Sequence, residues 1–264
     1  VDAVQWMIRF PFIVSTQDIV PETDSTCASR CVEYLAQTIT AAQRGSTLYA
    51  QLQNMPQEIR SLPRAKLLTA ISLWQVGDAP GARSLLANLS TPLSARDETL
   101  REILLGFADL QSNDLAGAQR HVTRADSLQP GLENSALLRS YIAQGSGDVD
   151  GAIDITAAAR ANFPMEPTFF DRSSELLLSA DRYEEATALI EQRAAKFGQS
   201  SMSATLAGFA ALANKQYEEA ENLFNSAIKE DPSRSLPYLG TSLLSAHNRD
   251  YDTAKDKLSQ AVQL

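Results

Sequence analysis

The chain has 264 residues, 44% of them hydrophobic, enough to bury one large core or two small ones. It carries 23 basic against 32 acidic residues, a net charge of −9, and no stretch gathers the lysines and arginines that neutralising a phosphate backbone requires, so nucleic acid is excluded as the expected ligand. Two cysteines, with two histidines far from them in sequence, make neither a disulfide framework nor a zinc site.

No run reaches the roughly 18 apolar residues of a membrane span. The most apolar stretch, residues 4–14 (VQWMIRFPFIV), is broken by Arg9 and Pro11. It reads as a strand or loop packed on the first helices, as an amphipathic patch, or as the end of a targeting or anchoring segment. Residues 25–44 predict a helix with Cys27, Cys31, Leu35 and Ile39 on one side. Cysteines spaced like this are small residues of a packed face, with a redox pair as the alternative. A short apolar stretch at 48–55 and a proline-bounded connector follow. Residues 1–62 show no period and are expected to cap what comes next, since the end of a stacked array needs covering.

From residue 63 the pattern becomes periodic. Ala118, Ala152, Ala186, Ala220 and Ala254 are each 34 residues apart, and three residues before them stand Leu115, Val149, Tyr183, Tyr217 and Tyr251. Gly106, Ser140, Ser174, Gly208 and Ser242 keep the same step of 34. So do Ala125, Ala159, Ala227 and Ala261, with Arg193 the exception, and so do Pro130, Pro164 and Pro232, where a helix must stop for want of an amide donor. Columns held in one register over five units mean a helix, a tight turn and a second helix per unit. In SMSATLAGFAALANKQYEEAENLFNSAIKEDP, Gly208 and Ala220 are predicted to let the paired helices approach. Leu223, Phe224, Ala227 and Ile228 form an amphipathic face after the turn Asn214-Lys215-Gln216. Gly77-Asp78 and Gly147-Asp148 suit the end of one helix and the cap of the next. Ala82 stands where 118 − 34 gives 84, which places two extra residues in a surface loop near residues 90–94.

These columns resemble the tetratricopeptide repeat, a 34-residue unit with small residues in its first helix, alanine in its second and a terminal proline. The resemblance covers residues 63–264 and implies an all-α, right-handed α-solenoid of about six helix-turn-helix repeats at 63–98, 99–132, 133–166, 167–200, 201–234 and 235–264. The family's bulky aromatic near the start of the first helix is replaced by Lys66, Glu102, Ala136 and Ala204 and kept only at Tyr238, which marks a divergent member.

The family binds ligands on a concave face lined by the first helices. Carried over by register, that face takes Leu67, Ile71 and Trp74, then Ile103, Phe107 and Leu110, then Leu137, Tyr141 and Gln144. Beyond them come Asp171, Glu175, Leu178, Phe209, Leu212 and Leu243. Phe107, Tyr141 (107 + 34) and Phe209 (107 + 102) share one place in the unit and are expected to form an aromatic row. The groove is apolar with one acidic step, suited to an amphipathic helix or an extended peptide with apolar anchors and a basic residue. The Lys/Asn clamp of the chaperone-binding subfamily is not matched, and Leu68, Leu104, Leu138 and Leu206 stand where an asparagine ladder would.

No glycine-rich phosphate loop, His-Glu-x-x-His or Gly-x-Ser-x-Gly motif occurs. No enzyme, small-molecule cofactor or metal site is therefore expected. Asn88-Leu89-Ser90 matches a glycosylation acceptor pattern, and His247 falls at a turn. The functional expectation is a scaffold or adaptor with a protein or peptide partner. The alternative is a regulatory or substrate-positioning domain of a larger enzyme or of a secretion or assembly machine, because the chain stops at Leu264 inside a second helix and leaves Leu258 and Val262 open to self-association. Few lysines, many Ala, Gln and Arg, and the absence of a starting Met lean toward a bacterial chain, periplasmic or membrane-tethered before cytoplasmic.

Overall fold

The computed structural model describes residues 50, 52–54, 56–61, 63–75, 78–89 and 93–264. The expectations for residues 4–14, for the Cys27/Cys31 helix and for a capping segment fall almost wholly outside those residues. A single helical turn, Gln57–Arg60, precedes α1 (Pro63–Gln75) and α2 (Ala79–Ala87). Then come α3 (Ala95–Gln111), α4 (Leu115–Leu128), α5 (Glu133–Gly145) and α6 (Val149–Asn162). The chain finishes with α7 (Pro167–Ser179), α8 (Tyr183–Phe197), α9 (Ser201–Ala213), α10 (Tyr217–Glu230), α11 (Ser235–His247) and α12 (Tyr251–Gln263). No strand occurs among the described residues.

The turn joining first to second helix repeats in backbone as well as in sequence. Asn113, Gly147, Asp181, Lys215 and Arg249, each 34 apart, all hold positive φ, between 58° and 87°. Only Gly147 is spared the steric penalty of that left-handed conformation. The next residue caps the second helix: the carboxylates of Asp78, Asp114, Asp148 and Asp250 accept from the amides of Gly81, Gly117, Gly151 and Thr253. Where Arg182 and Gln216 replace aspartate, no side-chain cap forms. Ahead of α3, Ser94 accepts from the amide of Asp97, and Asp97 and Glu98 sit favourably in the positive first turn. This helix therefore runs 17 residues and starts at Ala95, inside the stretch assigned to the preceding unit.

The described residues divide into two compact units, a first up to Ser146 and a second from Gly147 onward. In the first, Gly106 lets α3 approach both α5 and α4: a Cβ there would strike Leu138 Cδ2 of α5 at 2.5 Å and approach His121 Cβ of α4 at 3.4 Å. Ala118, Val122 and Ala125 of α4 are fully buried against it.

In the second unit the small residues serve an aromatic ring. A Cβ on Gly208 would lie 2.6 Å from Phe224 Cε1, and one on Gly240 would strike the same ring, so fully buried Phe224 fills the gap that two glycines leave. The atoms nearest Gly208 belong to Phe224, one turn beyond Ala220 along α10, and Ala220 is packed in the same cluster. Arg193 breaks the alanine column for a reason visible only in three dimensions. Its Nε donates to Asp171 Oδ1 at 2.9 Å, its Nη1 donates to the Gly198 carbonyl, and its guanidinium lies 6.0 Å over Phe197.

Candidate partner-binding face

In the first unit, the residues assigned to the concave face are closed to solvent. Leu67, Ile71, Trp74, Ile103, Leu137 and Tyr141 are all buried, and Phe107 is 2% exposed; Leu110 is half-buried. Trp74, Phe107 and Tyr141, from α1, α3 and α5, meet edge to face with centroids 6.4 and 6.5 Å apart. Edge-to-face contact sets the positive rim of one ring against the negative face of the next, adding about 0.5–1.5 kcal/mol per pair beyond area burial. The aromatic row thus helps hold α1, α3 and α5 together.

The corresponding residues of the second unit differ. Leu178, Phe209 and Leu212 are half-buried, and Leu243 is 48% exposed. Phe209 turns its ring edge to Phe224, 5.1 Å away within the same helix pair. The acidic step is engaged from inside the unit, with Asp171 bound by Arg193 and Glu175 Oε2 2.9 Å from Arg172 Nη1. Burial pushes the Asp171 carboxyl up to about 6, with the charge and hydrogen bond of Arg193 pulling the other way. Desolvation wins because the loss of water from a mostly buried carboxylate outweighs the attraction of Arg193 and, beyond it, Arg234, while Glu166 adds a further push upward.

Arg172 went unremarked in the sequence. Its side chain is 1% exposed and occupies the place of Leu68, Leu104, Leu138 and Leu206. The signal that finds it is a coincidence of breaks: Asp171, Arg172, Glu175 and Arg193 all put charge into columns that are apolar or small in most other units. A second polar cluster escaped notice in the first unit. His121 Nδ1 lies 2.7 Å from Glu102 Oε2, and its Nε2 lies 3.5 Å from Asp109, which in turn pairs with Arg83. Burial pushes the Glu102 carboxyl up, but the hydrogen bond and charge of His121, with Arg101 and Arg124 beyond, outweigh burial and hold it below the usual range. Among the described residues, no group of three or more His, Cys, Asp or Glu is placed to hold a metal ion, and no helix is long and apolar enough to cross a membrane.

No protein-family model and no curated protein sequence matches the chain. Solved structures do. The chain is similar to the APC/C hetero-tetramer Cut9-Hcn1, with TM-score 0.72 at 15% identity over 90% of this chain and 48% of that one. It is similar to a tetratricopeptide repeat protein from Parabacteroides merdae (TM-score 0.62, 13% identity, 90% and 87% of the two chains). It is also similar to TTC0263, a thermophilic TPR protein of Thermus thermophilus (0.57, 13%, 77% and 100%). The chain spans about half the length of the Cut9-Hcn1 chain it matches. With its helix-turn-helix units and these likenesses, the chain has the fold of tetratricopeptide-repeat proteins, an all-α solenoid.

Proposed function

We propose that this protein is a non-enzymatic interaction scaffold of six units, 63–98 to 235–264, in which the open inner positions of the later first helices take an apolar segment of a protein partner. The observation that carries this reading is Leu243, 48% exposed beside half-buried Phe209 and Leu212. A leucine left that open on a face of apolar side chains is an anchor for another apolar group. The acidic balance of the chain supports a partner that is not nucleic acid and that carries basic residues. Leu212→Glu with Leu243→Glu tests it. Proteins retained by the wild type from a native lysate should fall at least tenfold, about 1.4 kcal/mol, with the melting curve unchanged. Equal retention would move the binding surface off these helices.

A second reading rests on α12, where Val262 and Leu258 are 66% and 43% exposed. That apolar strip supports association with another copy or with another protein, in keeping with a regulatory or substrate-positioning module of a larger machine.

A further inference from the structure

The second unit holds two cations that its acidic chain leaves without a carboxylate. Arg160 Cζ, from the last turn of α6, and Lys196 Nζ, from the last turn of α8, lie 5.6 and 5.5 Å from the ring centre of buried Phe170 on α7. Lys196 Nζ is also 5.4 Å from the ring centre of Phe197. Nearby Arg193 is neutralised by Asp171, whereas neither Arg160 nor Lys196 forms an ion pair among the described residues. Arg160 Nε is closed to water and meets no acceptor there, and burial holds its guanidinium below the usual range. Lys196 donates to the Pro164 carbonyl, which engages one of its three protons. The ring face and the negative ends of α6 and α8 draw cations to this place. None of these supplies a full negative charge, so the spot stays positive in a chain of net charge −9.

We propose that the ends of α6 and α8 dock an acidic segment of a protein partner, with carboxylates on Arg160 and Lys196 and an apolar neighbour on Met165. A guanidinium fork meets a carboxylate through paired N–H donors, and an ammonium holds a second one as a point charge. A carboxylate also returns to half-buried Arg160 the counter-charge that its surroundings withhold. The apolar part follows from Met165, 74% exposed beside the Pro164 carbonyl that Lys196 takes. So open a thioether, flexible and polarisable, suits contact with varied side chains. The loop that carries it is held in place, since Phe163 stacks on fully buried Phe169 with centroids 5.7 Å apart. Net charge chooses among anions: a nucleic acid brings a long row of phosphates against a chain of −9, whereas a short acidic run brings a few carboxylates to a positive spot. Arg160 and Lys196 stand on second helices, so this site is separate from the inner positions of the first helices and does not rest on the groove reading.

The test selects a displayed library of random heptapeptides on the full chain, on Arg160→Gln/Lys196→Gln, and on Lys229→Gln, which removes a lysine from the last turn of α10 as the double variant does from α8. Clones rich in Asp and Glu should be enriched on the wild type and on Lys229→Gln and not on the double variant. A fluorescent copy of the strongest clone should bind the wild type at least tenfold tighter than the double variant, about 1.4 kcal/mol, and should lose the same factor when its acids become Asn and Gln. A zero-length carbodiimide crosslink on the unmutated chain, where folding is not in question, should join a peptide carboxylate to Lys196 Nζ, as mapped by mass spectrometry. Failure to enrich acidic clones overturns the proposal, and so do crosslinks confined to other lysines. An equal loss in Lys229→Gln overturns it as well, because diffuse charge would then account for the binding. Inorganic phosphate that binds the wild type tighter than the peptide makes this a small-anion site and also overturns it. Each of these failures leaves the groove reading standing, since no inner position is altered.

Discussion

The two units are built from one 34-residue pattern, yet they treat its inner positions in opposite ways. In the first, α1, α3 and α5 give that face to closed aromatic packing around Trp74, Phe107 and Tyr141. In the second, the same columns hold an ion-paired Asp171 and Glu175, a half-buried Phe209 and an open Leu243. A repeat pattern therefore sets where side chains point and does not decide whether they become core or surface. That depends on what covers them and on whether charge has entered the column.

The largest test of the contrast is a matched pair of truncations. Phe107→Ala should cost about 3–5 kcal/mol, as removal of a fully buried phenylalanine does, while Phe209→Ala, partly exposed already, should cost less than half as much. Chemical denaturation of both variants reads this directly, and equal losses would mean that the two faces are packed alike.

Electrostatics gives the next test, because the two units should respond to pH with opposite sign. Asp171 has a folded pKa raised from 3.8 to about 6, so its contribution to stability is full below about 3.8 and is lost as pH rises through about 6. The upper bound of that loss is about 3 kcal/mol, at about 1.36 kcal/mol per pH unit. Glu102 is held low by His121, so its contribution is present above about 4.5 and disappears as pH falls. Melting from pH 3 to 8 should show Asp171→Asn flattening the neutral side of the wild-type curve and Glu102→Gln flattening the acid side. Exchanged effects would reverse the assignment of which pair is held by charge and which is penalised by burial.

The smallest expected effect sharpens the comparison at the turns. Lys215→Gly and Arg249→Gly relieve non-glycine residues at φ of 61° and 62°, and each should raise stability by about 0.5–1 kcal/mol. Gly147→Ala should lower it by about 1 kcal/mol for the same reason. Thermal melts that fail to split in sign would show that the turns relax at no cost.

Much of this was legible in the residues alone. The 34-residue columns of Ala, small residues and proline specify helix pairs, because small side chains allow close approach and Pro130, Pro164 and Pro232 recur where three of the second helices stop. The Asp caps at 78 and 148 were readable there as well, and the structure adds the same cap at 114 and 250. Three features did not. Gly208 proved to make room for the ring of Phe224, which reaches back over a helical turn that a periodicity argument does not measure. Arg193 and Arg172 look like lapses in a pattern until Asp171 and Glu175 are seen to pair with them. The burial of Phe107 and Tyr141 was the third: sequence could place them on a face but could not say that the face is closed. Local spacing is set by the pitch of one helix, and so the sequence determined the fold of this protein. Coverage is set by whatever packs from elsewhere in the chain, and so only the tertiary structure decided which of the inner positions remain open to a partner.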